Sequence, residues 1–172
     1  MGFGTGEHET TYLCLKAFED LRKDQQTSNF SHLLDFGCGS GILGVAALRK
    51  MPGVYCEFCD VDTNALDNCL QNLLLNFTKD ELQAQRLVSR EKFDPSERPE
   101  GFDLVFANIL ESVLLAEKET ISSSLAEGGH LIVSGVLTEQ IENIVHHYSN
   151  LRHLDTYKKG DWACLVFENR RL

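Results

Sequence analysis

Asp35-Phe36-Gly37-Cys38-Gly39-Ser40-Gly41 is the stretch whose reading decides the fold. Before it, SHLLDFG (31–37) is a short apolar run of strand character. After it, GILGVAALRKM spaces Ile42, Val45, Ala46 and Arg49 as one side of a helix, with basic residues in the last turn where they suit the helix dipole. The segment therefore reads strand, glycine turn, helix. At such a junction the free N–H groups and the dipole make a binding corner. Glycine lets a ligand touch bare backbone there and adopts the positive φ values that the turn needs.

The glycines follow G-x-G-x-G, and Ile42 stands where the dinucleotide fingerprint G-x-G-x-x-G has its third glycine, which argues against a nicotinamide dehydrogenase. Asp35 adds a negative charge that suits a cationic ligand better than a pyrophosphate. Asp60 closes the next apolar run, VYCEFCD, 23 residues after Gly37. That is near the position expected of a carboxylate gripping the two hydroxyls of a ribose.

Working outward, apolar periodicity alternates between helical and buried-strand patterns, the mark of an α/β chain. Glu7 to Leu21 carries a helical stripe at Leu13, Ala17, Phe18 and Leu21, and Thr63 to Phe77 is a second helix capped by Asp62 or Thr63. QAQRLVSR is a more polar third strand; FDLVFANIL and HLIVSGV are buried strands. A helix is expected from Glu111 to Ala126, with Gly128-Gly129 turning the chain into the following strand, and TEQIENIVHHY is a short amphipathic helix. HLDTYKKG and WACLVFEN, separated by Gly160-Asp161, form a hairpin. The fold expected is doubly wound α/β: a mostly parallel sheet of seven strands in which only the last is reversed.

At 172 residues the chain is the size of one domain, and no repeat, low-complexity tract or linker divides it. Hydrophobic residues make up 42% and charged residues 24%, as in ordinary globular proteins. No apolar run approaches the roughly 20 residues that span a bilayer, and no secretory leader is visible, so a cytoplasmic protein without a membrane partner is expected. The net charge of −10 disfavours direct nucleic-acid binding. Six cysteines are scattered through apparent helices and strands and read as reduced, mostly buried thiols. Cys56 and Cys59 lie in a strand-like run with no second ligand pair at zinc spacing, so no metal is expected.

The glycine loop, the seven-strand order and Asp60 resemble class I S-adenosylmethionine methyltransferases, whose first motif has the form D-x-G-x-G-x-G. Further segments sharpen the likeness: GFGTGEHETT (2–11), DFGCGSGIL (35–43), CDVD (59–62) followed by NCLQNLLLN, FANIL (106–110), GGHLIVSGVL (128–137) and Asp161-Trp162. Together they resemble the ribosomal protein L-eleven methyltransferase family, PrmA, over essentially the whole chain.

The resemblance implies S-adenosylmethionine as cofactor, and as activity the methylation of amino groups, lysine side chain or N-terminal amine, on a ribosomal protein substrate. Residue by residue it carries cofactor binding onto Thr11, Gly37, Asp60 and Asn108, beside Asp35, Gly39 and Gly41 of the loop. Asn108 is the candidate catalytic residue, its amide meeting both the cofactor and an incoming amine. Thr11, near the start of the leading helix, can offer a hydroxyl to the methionine carboxylate of the cofactor. The family usually has proline where this chain has Glu9. It also carries an N-terminal recognition domain, which residues 1–172 are expected to lack, forming a single catalytic domain that is either a fragment of a longer enzyme or a lone domain with a different target. His8 could be a general base or a packing residue, and no acid at fixed spacing marks a dyad. Methylation of another protein or a small molecule, or cofactor binding without transfer, are the alternative functions.

Overall fold

A computed structural model describes residues 9–23 and 30–170. The glycine-rich opening with His8, and the first residues of the anticipated leading helix, lie outside the described residues. Helix α1 (Glu9–Lys23) leads into β1 (His32–Phe36), α2 (Ile42–Lys50), β2 (Tyr55–Asp60), α3 (Thr63–Asn76), a single-turn α4 (Lys79–Leu82) and β3 (Arg86–Ser89). The second half runs β4 (Phe102–Asn108), α5 (Glu111–Ala116), α6 (Lys118–Ser123), β5 (Leu125–Leu137), α7 (Ile141–His147), β6 (Arg152–Lys159) and β7 (Trp162–Glu168).

The strands form one seven-stranded sheet in the order β3-β2-β1-β4-β5-β7-β6. The pairs from β3 to β5 are parallel, and β7 runs antiparallel to both β5 and β6. Only β7 is therefore reversed, as the pattern of the sequence suggests. The chain winds outward from β1 through β2 to β3, then returns to lay β4 on the other side of β1. Strand order thus reverses between β1 and β4, and the crevice at their carboxyl ends is where open α/β sheets bind ligands.

Successive side chains on a strand face opposite sides, and each side has its own core. Leu104 and Phe106 of β4 pack with Leu13, Ala17 and Phe18 of α1 and Leu73 of α3; Val105 and Ala107 pack with Leu114, Ile121, Ile144 and Tyr148 on the other face. Phe18 meets Phe106 edge to face with centroids 5.7 Å apart, an arrangement that adds about 1 kcal/mol to simple burial. The same alternation sends Cys56 into one core and Cys59 into the other, so the two thiols cannot share a ligand.

Two expectations are corrected. The helix anticipated from Glu111 to Ala126 is two short helices that break at Glu117 (φ −96°, ψ 9°). Ala126 already belongs to β5, because Leu125 pairs with Phe102 and Phe102 N–H donates to Ser124 O at 2.8 Å. Gly128-Gly129 does not precede the strand; it lies within β5, where the register with β4 jumps from Phe102↔Leu125 to Leu104↔His130. The displaced backbone is satisfied by Asn169, whose O accepts from Gly128 N–H at 2.6 Å and whose N–H donates to Gly129 O at 2.8 Å.

Candidate functional site

The glycine loop is fastened to the end of β2. Gly37 N–H and Cys38 N–H both donate to Cys59 O, at 2.8 and 3.0 Å, and Gly41 N–H closes back on Cys38 O at 2.8 Å. Gly37, Gly39 and Gly41 all have positive φ, 70°, 54° and 76°, a region costly for residues with a Cβ. At Gly37 a Cβ would also stand 2.3 Å from Ile109 Cγ2. Bare α-carbon at this point lets the turn after β4 close over the loop.

Asp60 finishes β2 and uses both carboxylate oxygens: Oδ2 accepts from Gly39 N–H at 2.8 Å, Oδ1 from Asp62 N–H at 2.9 Å. A carboxylate offers about four lone-pair directions, so acceptor capacity remains for hydroxyl donors in the cleft. Asp62 caps α3 through Asn64 N–H.

Asp35 is buried under the loop, and its Oδ2 accepts from Gly44 N–H of α2 at 2.9 Å. Desolvation pushes its carboxyl up to about 7, against the lowering effect of the Gly44 hydrogen bond and with further upward pressure from the Asp60 charge. A carboxylate so poised ionises more readily when a cation comes near.

Two cavities meet over this loop. The larger, about 820 Å³ including its open mouth, runs along Phe36, Gly37, Gly39, Asp60, Val61, Asn108, Ile109, Leu110, Val113 and Glu117. The smaller, about 320 Å³, is lined by Thr11, Asp35, Gly37, Cys38, Gly39, Ile42, Leu43 and Asn108. Gly37, Gly39 and Asn108 border both, so together they form one groove across the carboxyl edge of β2, β1 and β4. Each volume by itself falls within the range of small-molecule and cofactor sites.

Thr11 and Asn108 line the smaller cavity, and each has a buried oxygen, Thr11 Oγ1 and Asn108 Oδ1, without a hydrogen-bond partner among the described residues. A buried polar atom left unpaired costs about 1–3 kcal/mol, a penalty that a polar ligand in the groove would remove. Thr11, Asp35, Gly37, Gly39, Asp60 and Asn108 are thus brought together around one groove. Gly41 is not: it lines neither cavity, and its α-carbon faces Cys69 of α3, where a Cβ would lie 2.4 Å from Sγ.

The apolar wall of Val61, Leu110 and Val113, which are 80%, 52% and 40% exposed, and the carboxylate of Glu117 were not legible as site residues. Val61 and Leu110 do fall inside the CDVD and FANIL segments, at strand ends where an exposed apolar residue serves no core. His146 and His147 sit in the last turn of α7, away from both cavities.

The groove suits a ligand with a flat apolar part, a diol, a cationic centre and a polar tail. The residues around the groove fit S-adenosylmethionine in kind: exposed aliphatic side chains at Val61, Leu110 and Val113, the carboxylates of Asp60 and Asp35, and the buried hydroxyl of Thr11.

Comparison with known proteins agrees with this geometry. The family profile described as Ribosomal protein L11 methyltransferase (PrmA) matches residues 1–170. Among curated proteins, the ribosomal protein L11 methyltransferase of Geobacter sulfurreducens is 37% identical over 171 residues, covering 98% of this chain and 52% of that protein. That of Idiomarina loihiensis is 38% identical over 170 residues, covering 96% and 52%. The chain therefore spans about half the length of the curated relatives it matches. Among solved structures, a ribosomal protein L11 methylase from Lactobacillus delbrueckii subsp. bulgaricus superposes with a TM-score of 0.77 at 25% identity, covering 96% of this chain and 81% of that one. A precorrin-6y C5,15-methyltransferase from Geobacter metallireducens, at TM-score 0.68 and 13% identity, shares the fold. Among the described residues no helix is long and apolar enough to cross a membrane. With its reversed β7, its glycine loop and a profile match from one end to nearly the other, the chain belongs to the ribosomal protein L11 methyltransferase (PrmA) family.

Proposed function

We propose that the groove binds S-adenosylmethionine and that the chain transfers its methyl group to amino groups of ribosomal protein L11. The observation that carries this reading is that Thr11 and Asn108, each with a buried oxygen unpartnered among the described residues, line one cavity beside bare glycine backbone.

The cofactor supplies a methyl group activated on a sulfonium. What remains for the chain is binding and alignment, since in-line attack at about 3 Å is largely a matter of positioning. Asp60 would hold the ribose hydroxyls, and the Thr11 hydroxyl would hold the carboxylate tail. The buried Asp35 carboxylate would favour a positive centre bound near it. Asn108 Oδ1 would accept an N–H of the target amine and so orient its lone pair. The amine must arrive neutral, and desolvation beside a cation favours that form.

The test is incubation of the chain with methyl-labelled S-adenosylmethionine and large ribosomal subunits unmethylated on L11. Label on L11 supports the reading. Label on a different protein moves the substrate elsewhere, and tight S-adenosylhomocysteine binding without any transfer makes the chain a cofactor-binding module.

A further inference from the structure

Asn108 ends β4, and α5 begins only at Glu111. Because Asn108 Oδ1 has no partner among the described residues, its aim depends on how firmly the turn through Ile109 and Leu110 is held. One side of that turn is fixed by β5: Ile109 N–H donates to Ser134 O at 3.2 Å, and the Ile109 carbonyl lies against Gly135, where a Cβ would be 2.4 Å from the oxygen.

On the other side, a set of side chains ties the start of α5 to α7 and to the exit of β5. Glu111 Oε2 accepts from Gln140 Nε2 at 2.6 Å, and Glu111 Oε1 accepts from Asn143 Nδ2 at 2.7 Å. Gln140 Oε1 in turn accepts from Leu137 N–H at 2.7 Å. One amide thus bridges the exit of β5 and the entry of α5, and the carboxylate bonds are charge-assisted and short. The helices do not need this bridge to stay together. Leu114 of α5 is fully buried, and Tyr148, just beyond α7, donates its O–H to Leu114 O at 2.8 Å.

We propose that Glu111, Gln140 and Asn143 form a latch whose work is to position Asn108 for methyl transfer. The latch rests on the methyltransferase reading for its purpose, but not for its existence. Glu111 and Gln140 are positioning residues: they touch neither cavity and act through the turn that carries Asn108.

The test is charge exchange across the bridge. Gln140→Glu sets two carboxylates against each other at hydrogen-bond distance; adding Glu111→Gln restores one acid and one amide. Four quantities are read on the whole chain: melting temperature, S-adenosylhomocysteine affinity, kcat on L11, and the Asn108 side-chain amide signal in a nitrogen-proton NMR spectrum. Gln140→Glu is expected to lower kcat about ten- to a hundredfold, with cofactor-product affinity within about threefold and the Asn108 signal shifted or split. The double variant is expected to recover both kcat and the single signal.

An unmoved Asn108 signal in Gln140→Glu overturns the latch, and so does a double variant that fails to recover. A melting temperature that falls in step with kcat overturns it as well, since that is a fold effect. If the chain neither binds S-adenosylhomocysteine nor transfers methyl, the functional reading falls instead, and the NMR signal still decides the latch.

Discussion

Asp60 Oδ2 holds Gly39 N–H at 2.8 Å, so the acid that ends β2 also sets the shape of the loop after β1. Binding and loop geometry are joined in one side chain. Asp60→Ala removes that bond, the Asp62 N–H bond and the acceptors for a ribose diol. Hydrogen bonds to a charged group are worth about 1.5–3 kcal/mol each, so S-adenosylhomocysteine affinity should fall about a hundredfold or more by calorimetry, with a modest loss of melting temperature. Undiminished affinity would remove Asp60 from the site.

Thr11→Val separates stability from binding. The unliganded protein loses an unpaired buried hydroxyl, so its stability should stay level or rise by about 1 kcal/mol. Affinity for S-adenosylhomocysteine should fall about five- to tenfold. A variant that is less stable and binds equally well would mean that the hydroxyl serves the fold rather than the ligand.

Asp35 makes a pH signature. Its folded value is raised from 3.8 to about 7, so the unfolded chain loses this proton first as pH rises. The contribution of Asp35 to stability is therefore greatest below about pH 4, declines between about 4 and 7, and is level above. The full decline is on the order of 4 kcal/mol. Asp35→Asn keeps an acceptor for Gly44 N–H and should flatten this part of the curve. Ligand linkage has the opposite sign, because a cation favours the ionised carboxylate: S-adenosylmethionine should bind more tightly from pH 6 to 8, and the uncharged sulfur of S-adenosylhomocysteine should show less change. Parallel pH curves for the two ligands would place the sulfonium away from Asp35.

Gly135→Ala tests the support beneath Asn108. Gly135 sits at φ +82°, in the irregular stretch of β5 between Val133 and Val136, where a Cβ would be 2.4 Å from Ile109 O. The left-handed backbone alone costs about 1–2 kcal/mol for alanine, and relief of the clash must move the turn after Asn108. Methyl transfer should fall more than tenfold in protein that remains folded by circular dichroism. Normal turnover would show that this contact is dispensable.

The features legible in the sequence were those set by local pattern: strand, glycine turn and helix around Gly37, the acid closing β2, and the hairpin around Gly160-Asp161. Positions fixed by long-range backbone contact were not. Nothing near Gly128 marks it as part of a strand, since its partner Asn169 lies at the far end of the chain. The break at Glu117 likewise follows from where β5 must begin beside β4. Single-turn α4 does have a local signal in the sequence, the capping box of Thr78 and Glu81. At the site, the loop acids and Asn108 were visible as residue types at strand ends, whereas the Val61, Leu110 and Val113 wall exists only once β2 and α5 face each other across β1 and β4.

The central claim is that one groove at the carboxyl edge of β2, β1 and β4 holds the adenosyl sulfonium cofactor. Titration of the labelled chain with S-adenosylhomocysteine, followed by backbone amide NMR, tests it most directly. The account predicts saturable shifts confined to Thr11, Gly37 to Gly41, Asp60 to Asp62 and Asn108 to Leu110. Absence of saturable binding, or shifts that cluster elsewhere, such as the groove between α2 and α3 near Arg49 and Asn72, would contradict it.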